Sequence, residues 1–114
     1  MPSVKNYVYP IPMTSIDSAT FSGSYQAINS TGIPQSCFLL KVVNNSNQLV
    51  TISWNGTTDH DIAPSTSAYV YDYQTNKQPN NDMALAQKGQ IIYAKGTAGV
   101  GLVYLVGFYN PIAS

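Results

Sequence analysis

The stretch that most constrains the fold is residues 37–64, CFLLKVVNNSNQLVTISWNGTTDHDIAP, which predicts three short β-strands joined by two turns. The three runs of strand-forming residues are 38–43, 49–54 and 57–62. An Asn-rich turn at residues 44–47 separates the first two runs, and Asn55-Gly56 separates the last two. Asn-Gly is the strongest short-range hairpin signal, because a type I′ turn requires positive φ at both central residues. The stretch therefore predicts antiparallel sheet.

The rest of the chain continues this pattern of short strands and turns. Further strands are predicted at residues 20–28, with an interruption at Gly23, and at residues 67–73, 90–95 and 100–109. About eight short strands with regular turn signals, and no helical periodicity, predict an all-β antiparallel β-sandwich. Jelly-roll and immunoglobulin-like connectivities both fit this pattern. We expect a single sandwich domain over residues 16–114, preceded by an extended arm or edge strand over residues 1–15.

The N-terminal residues have a composition of their own. Pro10 and Pro12 exclude a central strand there, because each proline removes a donor from the hydrogen-bond ladder. Around them lie three apolar or aromatic side chains, Tyr7, Tyr9 and Ile11. This segment either lies as an edge strand on its own sandwich or reaches a neighbouring subunit as an arm, and we regard the three side chains as interface candidates.

Two later strands carry the other interface candidates. Tyr69, Tyr71 and Tyr73 recur at every second position and so share one face of a strand, where they either fill the core or form a subunit interface or ligand platform. Residues 100–109, VGLVYLVGFY, are apolar on both faces, which is typical of a strand that is buried on both sides, centrally or at an interface. Its large side chains, the remaining candidates, are Tyr104, Phe108 and Tyr109.

Charge excludes several classes of function. Only 9% of the residues are charged, against about 25% in typical soluble domains. The net charge is zero and the chain contains no Arg, so the basic patch of a nucleic-acid-binding protein is absent. The sequence has no run of 18 apolar residues and no basic amphipathic helix, so we expect no membrane association. Its N-terminus lacks the apolar core of a signal peptide, which predicts synthesis in a cytoplasm without dedicated secretion.

The candidate chemistry is sparse. On a strand, Asp59 and Asp61 would point one way and His60 the other, so the Asp-His-Asp cluster does not converge on one metal ion. His60 has no recognisable nucleophile motif for a hydrolase, and the single Cys37 precedes an apolar strand, where it packs as a small hydrophobe. Trp54 either anchors the hairpin core or forms a sugar-stacking platform. We therefore predict no catalytic residue, no metal site and no cofactor.

Residues 38–109 resemble the small β-rich virion proteins encoded among the structural genes of tailed bacteriophages. Those chains share a hairpin of the form (W/Y)-(N/D)-G, x-x-D-H-D, x-x-P, then an aromatic strand, a KG turn and a terminal KG-x-A-G-x-G-x-(V/I)-Y hairpin. The matching residues in this chain are Trp54-Asn55-Gly56, Asp59-His60-Asp61, Pro64, Lys88-Gly89 and the run from Lys95-Gly96 to Tyr104.

The resemblance implies a non-enzymatic structural protein of a phage virion, in the first place a capsid decoration (cement) protein. The implied partners are the major capsid protein or proteins of the neck and tail, together with further copies of the chain, with a trimer favoured. The implied location is the virion, after synthesis in the bacterial host cytoplasm. The alternative is a carbohydrate- or receptor-binding module of a tail or head fibre, which would present Trp54 or a tyrosine in an exposed groove.

Overall fold

The computed structural model describes residues 8–72 and 86–110. This part of the chain forms nine β-strands and one 3-10 turn, η1 (Ser18–Thr20). The strands are β1 (Tyr9–Pro10), β2 (Thr14–Asp17), β3 (Gln26–Ala27), β4 (Leu39–Ser46), β5 (Val50–Ser53), β6 (Asp61–Ala63), β7 (Ser67–Asp72), β8 (Tyr93–Gly96) and β9 (Gly101–Tyr109). The predicted all-β class is confirmed.

The strands form two antiparallel sheets. Sheet I has the order β1-β9-β4-β7, and β2 pairs with β9 beside β1; sheet II has the order β3-β8-β5-β6. From β2 onward the pairing is nested, because β2 pairs with β9, β3 with β8, β4 with β7 and β5 with β6. Nested pairs divided between two four-stranded sheets define the jelly-roll topology. The connectivity that the sequence left open is therefore that of a jelly roll.

The core lies between the two sheets and follows the alternation of each strand. The fully buried apolar side chains on the inner faces are Leu40, Val42, Val50, Ile52, Ile92, Ala94, Val103 and Leu105, each 1% exposed or less. Successive side chains of a strand point to opposite faces, so the alternate residues of β4 and β9 face outward. The core of this domain is built almost entirely from Ile, Leu, Val and Ala.

One predicted turn is wrong at its start. Residues 44–47 were expected to form the turn between the first two strands, but β4 continues to Ser46. Asn44 is fully buried, and its Nδ2 atom donates to the carbonyl oxygens of Gln48 (2.8 Å), Ala63 (2.9 Å) and Pro64 (3.1 Å). Its Oδ1 atom accepts hydrogen bonds from the backbone N–H and the hydroxyl of Ser46. These bonds satisfy a polar side chain in the core and extend the strand.

The expected two-residue hairpin at Asn55-Gly56 is also wrong. Residues 54–60 form a longer loop between β5 and β6, and the third predicted strand, residues 57–62, is reduced to β6. Only Gly56 of the pair has a positive φ, so the turn is not type I′. His60 helps to close the loop, because its backbone N–H donates to the carbonyl of Ile52 and its Nδ1 accepts from the backbone N–H of Trp54, both at 2.9 Å.

The beginning of the described chain runs along the edge of sheet I. Tyr9 and Pro10 pair with Tyr109 and Phe108, and β2 continues along the same edge of β9. Residues 9–17 thus adopt the edge-strand alternative, whereas the preceding part of the predicted arm, residues 1–7, lies outside the described residues. The strand expected over residues 20–28 is shorter than predicted, since β3 contains only two residues after η1 and a bend.

Candidate assembly surface

The outward face of sheet I is apolar over its three long strands. On β4 and β9 the outward residues alternate with buried ones, and the pairing places them side by side, with Val43 beside Tyr104, Lys41 beside Val106 and Leu39 beside Phe108. We call this set the outer face of sheet I. Its members on β4, β7 and β9 are Leu39, Lys41, Val43, Asn45, Ala68, Val70, Asp72, Leu102, Tyr104, Val106 and Phe108.

Charge on this face is confined to few positions. Of the members on β4, β7 and β9, only Lys41 and Asp72 are charged, and Asp72 lies at the end of β7. Val70 is 49% exposed, and its neighbours on β4 and β9 are partly exposed. No other described strand packs against this side, because sheet II covers the opposite one. Lys41 interrupts the patch in its middle row, between Val70 and Val106. A largely apolar patch of this kind is typical of a contact with another molecule.

The outer face of sheet II differs, because it carries polar side chains and an ion pair. Lys95 Nζ lies 3.1 Å from Asp59 Oδ1 and 4.6 Å from the ring centroid of Tyr25. The hydroxyl of Tyr25 donates to the same carboxylate. Partial burial and this hydrogen bond raise the pKa of Tyr25 to about 12, while the hydrogen bonds from Tyr25 and Lys95 lower the pKa of Asp59. The charges of Lys95 and Asp59 on this face are therefore paired with each other within the chain.

Tyr69 and Tyr71, two of the predicted interface residues, lie on the inner side of β7. Both are half-buried and pack against the core, and their ring centroids are 4.9 Å apart. Trp54 meets Tyr71 edge to face at 5.1 Å, and the Tyr71 hydroxyl donates to Asp61 Oδ2 at 2.5 Å. Burial and this hydrogen bond raise the pKa of Tyr71 well above its usual range. The cluster joins the edge strands β6 and β7, so these aromatic rings close the sandwich.

The N-terminal interface candidates differ in burial. Ile11 is 7% exposed, and its backbone N–H donates to the carbonyl of Gly107 at 2.9 Å, so it belongs to the core. Tyr9 is 42% exposed and stacks at a tilt on Tyr109, with a centroid distance of 5.8 Å. Tyr7 and Tyr73 lie outside the described residues. Of the predicted candidates that are described, Tyr104 and Phe108 lie on the outer face of sheet I.

The three residues of the Asp-His-Asp cluster have separate contacts. Asp59 and His60 lie in the loop rather than on a strand, so the expected alternation along a strand does not apply to them. Asp59 binds Tyr25 and Lys95, His60 holds the loop through Nδ1, and Asp61 accepts from Tyr71. Within residues 8–72 and 86–110, no three His, Cys, Asp or Glu side chains form a group suited to a metal ion.

The other chemically distinctive side chains have structural surroundings. Cys37 is fully buried, and burial raises the pKa of its thiol to about 11, so little thiolate is present at neutral pH. His60 is exposed, and the hydrogen bonds of the described residues join it to no Ser or Cys side chain, unlike the base of a nucleophile–base pair. An open groove of about 620 Å³ beside Lys95 is lined mainly by loop residues and the buried ring of Phe21.

Some of these contacts had no signal in the sequence. Tyr25 and Lys95 lie 34 and 36 residues from Asp59, and no local pattern connects them. The outer face of sheet I did have a signal in the sequence, namely the apolar character of residues 100–109 at both odd and even positions. That pattern identified β9 but not the outward residues Leu39 and Val43 on β4 and Val70 on β7, because the register of these two strands decides which residues join the face.

Comparisons with known proteins add little to this description. No known protein family matches the sequence, and no curated protein matches it either. A solved structure from the Bacillus endospore appendages, described as a novel family of disulfide-linked pili, aligns over 96% of this chain and 94% of its own length, with a TM-score of 0.46 and 12% sequence identity. A similarity of this size carries no argument about function. Within the described ranges, no helix is long and apolar enough to cross a membrane.

Proposed function

We propose that this chain is a non-enzymatic structural subunit of a tailed-phage virion, a capsid decoration protein that binds through the outer face of sheet I. The observation that carries the proposal is the unmatched apolar patch on the outward sides of β4, β7 and β9. The resemblance of residues 38–109 to small phage virion proteins supports the biological setting. Burial of this patch against a partner would remove apolar surface from water at about 25 cal/mol per Å².

The area of the patch indicates whether it could form a stable interface alone. Three strands about 4.8 Å apart and about eight residues long cover about 400 Å². A stable interface of standard size needs about 800 Å² on each partner. The outer face of sheet I therefore supplies about half of such an interface, and a second contact must supply the rest. In a closed ring every subunit has two contacts, so this requirement is met by a ring such as the trimer that the resemblance implies.

Val70 and Ile62 provide a matched pair for testing this surface. Both are aliphatic residues on edge strands, and they are 49% and 52% exposed. Val70 lies on the outer face of sheet I, whereas Ile62 lies on the outer face of sheet II. We expect Val70→Lys to weaken association by about tenfold or more, because burying an unpaired ammonium costs several kcal/mol. Ile62→Lys should leave association unchanged.

The measurements are light scattering for the oligomeric state of the purified chain, and sedimentation with the heads of the phage that encodes it. Circular dichroism establishes that both variants are folded. A monomer at all concentrations that does not sediment with heads would contradict the proposed function. Equal effects of the two substitutions would contradict the assignment of the surface.

A further inference from the structure

The Asn55-Gly56 pair, which does not form the expected hairpin turn, carries a chemistry of its own. In an Asn-Gly sequence the glycine nitrogen can attack the side-chain amide of the asparagine, since glycine has no Cβ to obstruct the approach. Asn55 is exposed in the loop between β5 and β6, so water reaches its side chain. The hydrogen bonds around this pair act on the two reacting groups in opposite directions.

The amide carbonyl of Asn55, which is the electrophile, is activated. Its Oδ1 atom accepts hydrogen bonds from the backbone N–H groups of Thr57 and Thr58, both at 2.9 Å. The hydroxyls of Ser53 and Thr57 lie 3.0 and 3.1 Å from the same oxygen. Two convergent backbone donors resemble an oxyanion hole, because they stabilise the negative charge that develops on Oδ1 during attack at Cγ.

The nitrogen of Gly56, which is the nucleophile, is blocked. Its N–H donates to the hydroxyl oxygen of Ser53 at 2.9 Å, and the N–H of Asn55 approaches the same oxygen at 3.2 Å. Ser53 belongs to β5 and is fully buried, so the sheet positions its backbone, while its hydroxyl also bonds Asn55 Oδ1 in the loop. Attack requires Gly56 N to lose its proton and turn toward Cγ of Asn55, which the bond to Ser53 opposes.

We propose that Asn55 is a spontaneous deamidation site, and that the hydroxyl of Ser53 restrains the reaction in the folded protein. In the reaction, Gly56 N gives its proton to solvent base and forms a bond to Asn55 Cγ. The bond between Cγ and Nδ2 then breaks, ammonia leaves, and water opens the resulting succinimide to aspartate or isoaspartate. The net change is amide plus water to carboxylate plus ammonium, without any oxidation or reduction.

The consequence is a covalent change whose rate depends on the state of the loop. Deamidation adds one negative charge to a chain of zero net charge, in a loop that already holds Asp59. An aspartate at position 55 keeps an acceptor for the N–H groups of Thr57 and Thr58, whereas isoaspartate lengthens the backbone and breaks this geometry. Aged protein would therefore contain two forms that differ in this loop.

The test measures deamidation by peptide mapping after incubation in mildly alkaline buffer. Three samples are compared: the folded wild type, the wild type in urea, and folded Ser53→Ala. We expect the folded wild type to react at least about fivefold more slowly than the chain in urea, the factor that one ordinary hydrogen bond is worth. Ser53→Ala should react at least as fast as the unfolded chain, because the substitution frees Gly56 N, while the two backbone donors to Oδ1, from Thr57 and Thr58, remain in place.

Internal controls come from the same digest, since Asn29 and Asn47 are not followed by glycine. Ser67→Ala serves as a matched control, because it removes a hydroxyl bonded to Pro64 in another loop. Equal rates at Asn55 in folded and unfolded wild type would overturn the proposal even if Ser53→Ala did not fold. An unchanged rate in a folded Ser53→Ala variant would also overturn it.

Discussion

Asn44 joins the end of β4 to the backbone at Gln48 and at the end of β6. Three carbonyl oxygens, those of Gln48, Ala63 and Pro64, converge on its Nδ2 atom in a buried position. We expect Asn44→Ala to lower the free energy of unfolding by about 3 kcal/mol, because the buried bond to the Ala63 carbonyl and the buried acceptor of the Ser46 N–H and hydroxyl would be lost. Urea denaturation measures the change. Asn45→Ala, at the exposed neighbouring position, is the control and should change stability by less than about 0.5 kcal/mol.

Asn44→Asp would add a dependence on pH to this loss. A carboxyl group facing carbonyl oxygens has a raised pKa in the folded state, above the unfolded value of about 4. The folded state then keeps a proton that the unfolded state loses, so stability falls as the pH rises through that range. The variant should therefore be more stable at acidic pH than at neutral pH, relative to the wild type. A loss that is the same at every pH would contradict this role of Asn44 Nδ2.

At the level of the strand, the sequence predicted β9 and β7 well and the two turns of residues 37–64 poorly. An apolar run predicts a strand where burial decides its residues, as in β9, which is apolar at both odd and even positions. Asn44 has the local character of a turn residue, but its acceptors include carbonyls 19 and 20 positions away, so local pattern could not place it inside. The loop of residues 54–60 is likewise closed by the side chains of Asn55 and His60 rather than by turn type.

The first residue of β9 is Gly101, and its substitution tests how closely β9 and β4 approach each other. Gly101 has a φ of +112°, and a Cβ there would overlap the carbonyl oxygen of Asn45 on the paired strand. We expect Gly101→Ala to cost about 3 kcal/mol or more, from backbone strain together with the displaced strand. Gly23→Ala is the control, since Gly23 has a φ of +87° with no described heavy atom within 4 Å of the added Cβ.

Strain alone should cost Gly23→Ala about 1 kcal/mol. Thermal unfolding followed by circular dichroism compares the two variants. If both lose the same stability, backbone strain accounts for the whole effect, and the close approach of β4 to β9 contributes nothing.

For the molecule as a whole, the jelly roll explains why one chain can have a closed core and still present an apolar surface. β9 is central to sheet I, and it packs Val103 and Leu105 inward while Tyr104 and Val106 point outward. Its inner face is covered by sheet II within the same chain. The outer face can be covered by residues beyond the described ranges or by another molecule. The proposed function assigns this role to another molecule.

Truncation tests whether residues 1–7 contribute to this cover. A chain that begins at Val8 keeps every described strand, so we expect it to fold with an unchanged melting temperature. We expect its association to weaken, because the proposed interface needs more area than the outer face of sheet I supplies. A chain that begins at Ser18 lacks β1 and β2 and leaves one edge of β9 unpaired, so it should aggregate. Light scattering distinguishes the two chains. If the Val8 chain unfolds, residues 1–7 belong to the sandwich, and if it associates like the full chain, they are not part of the interface.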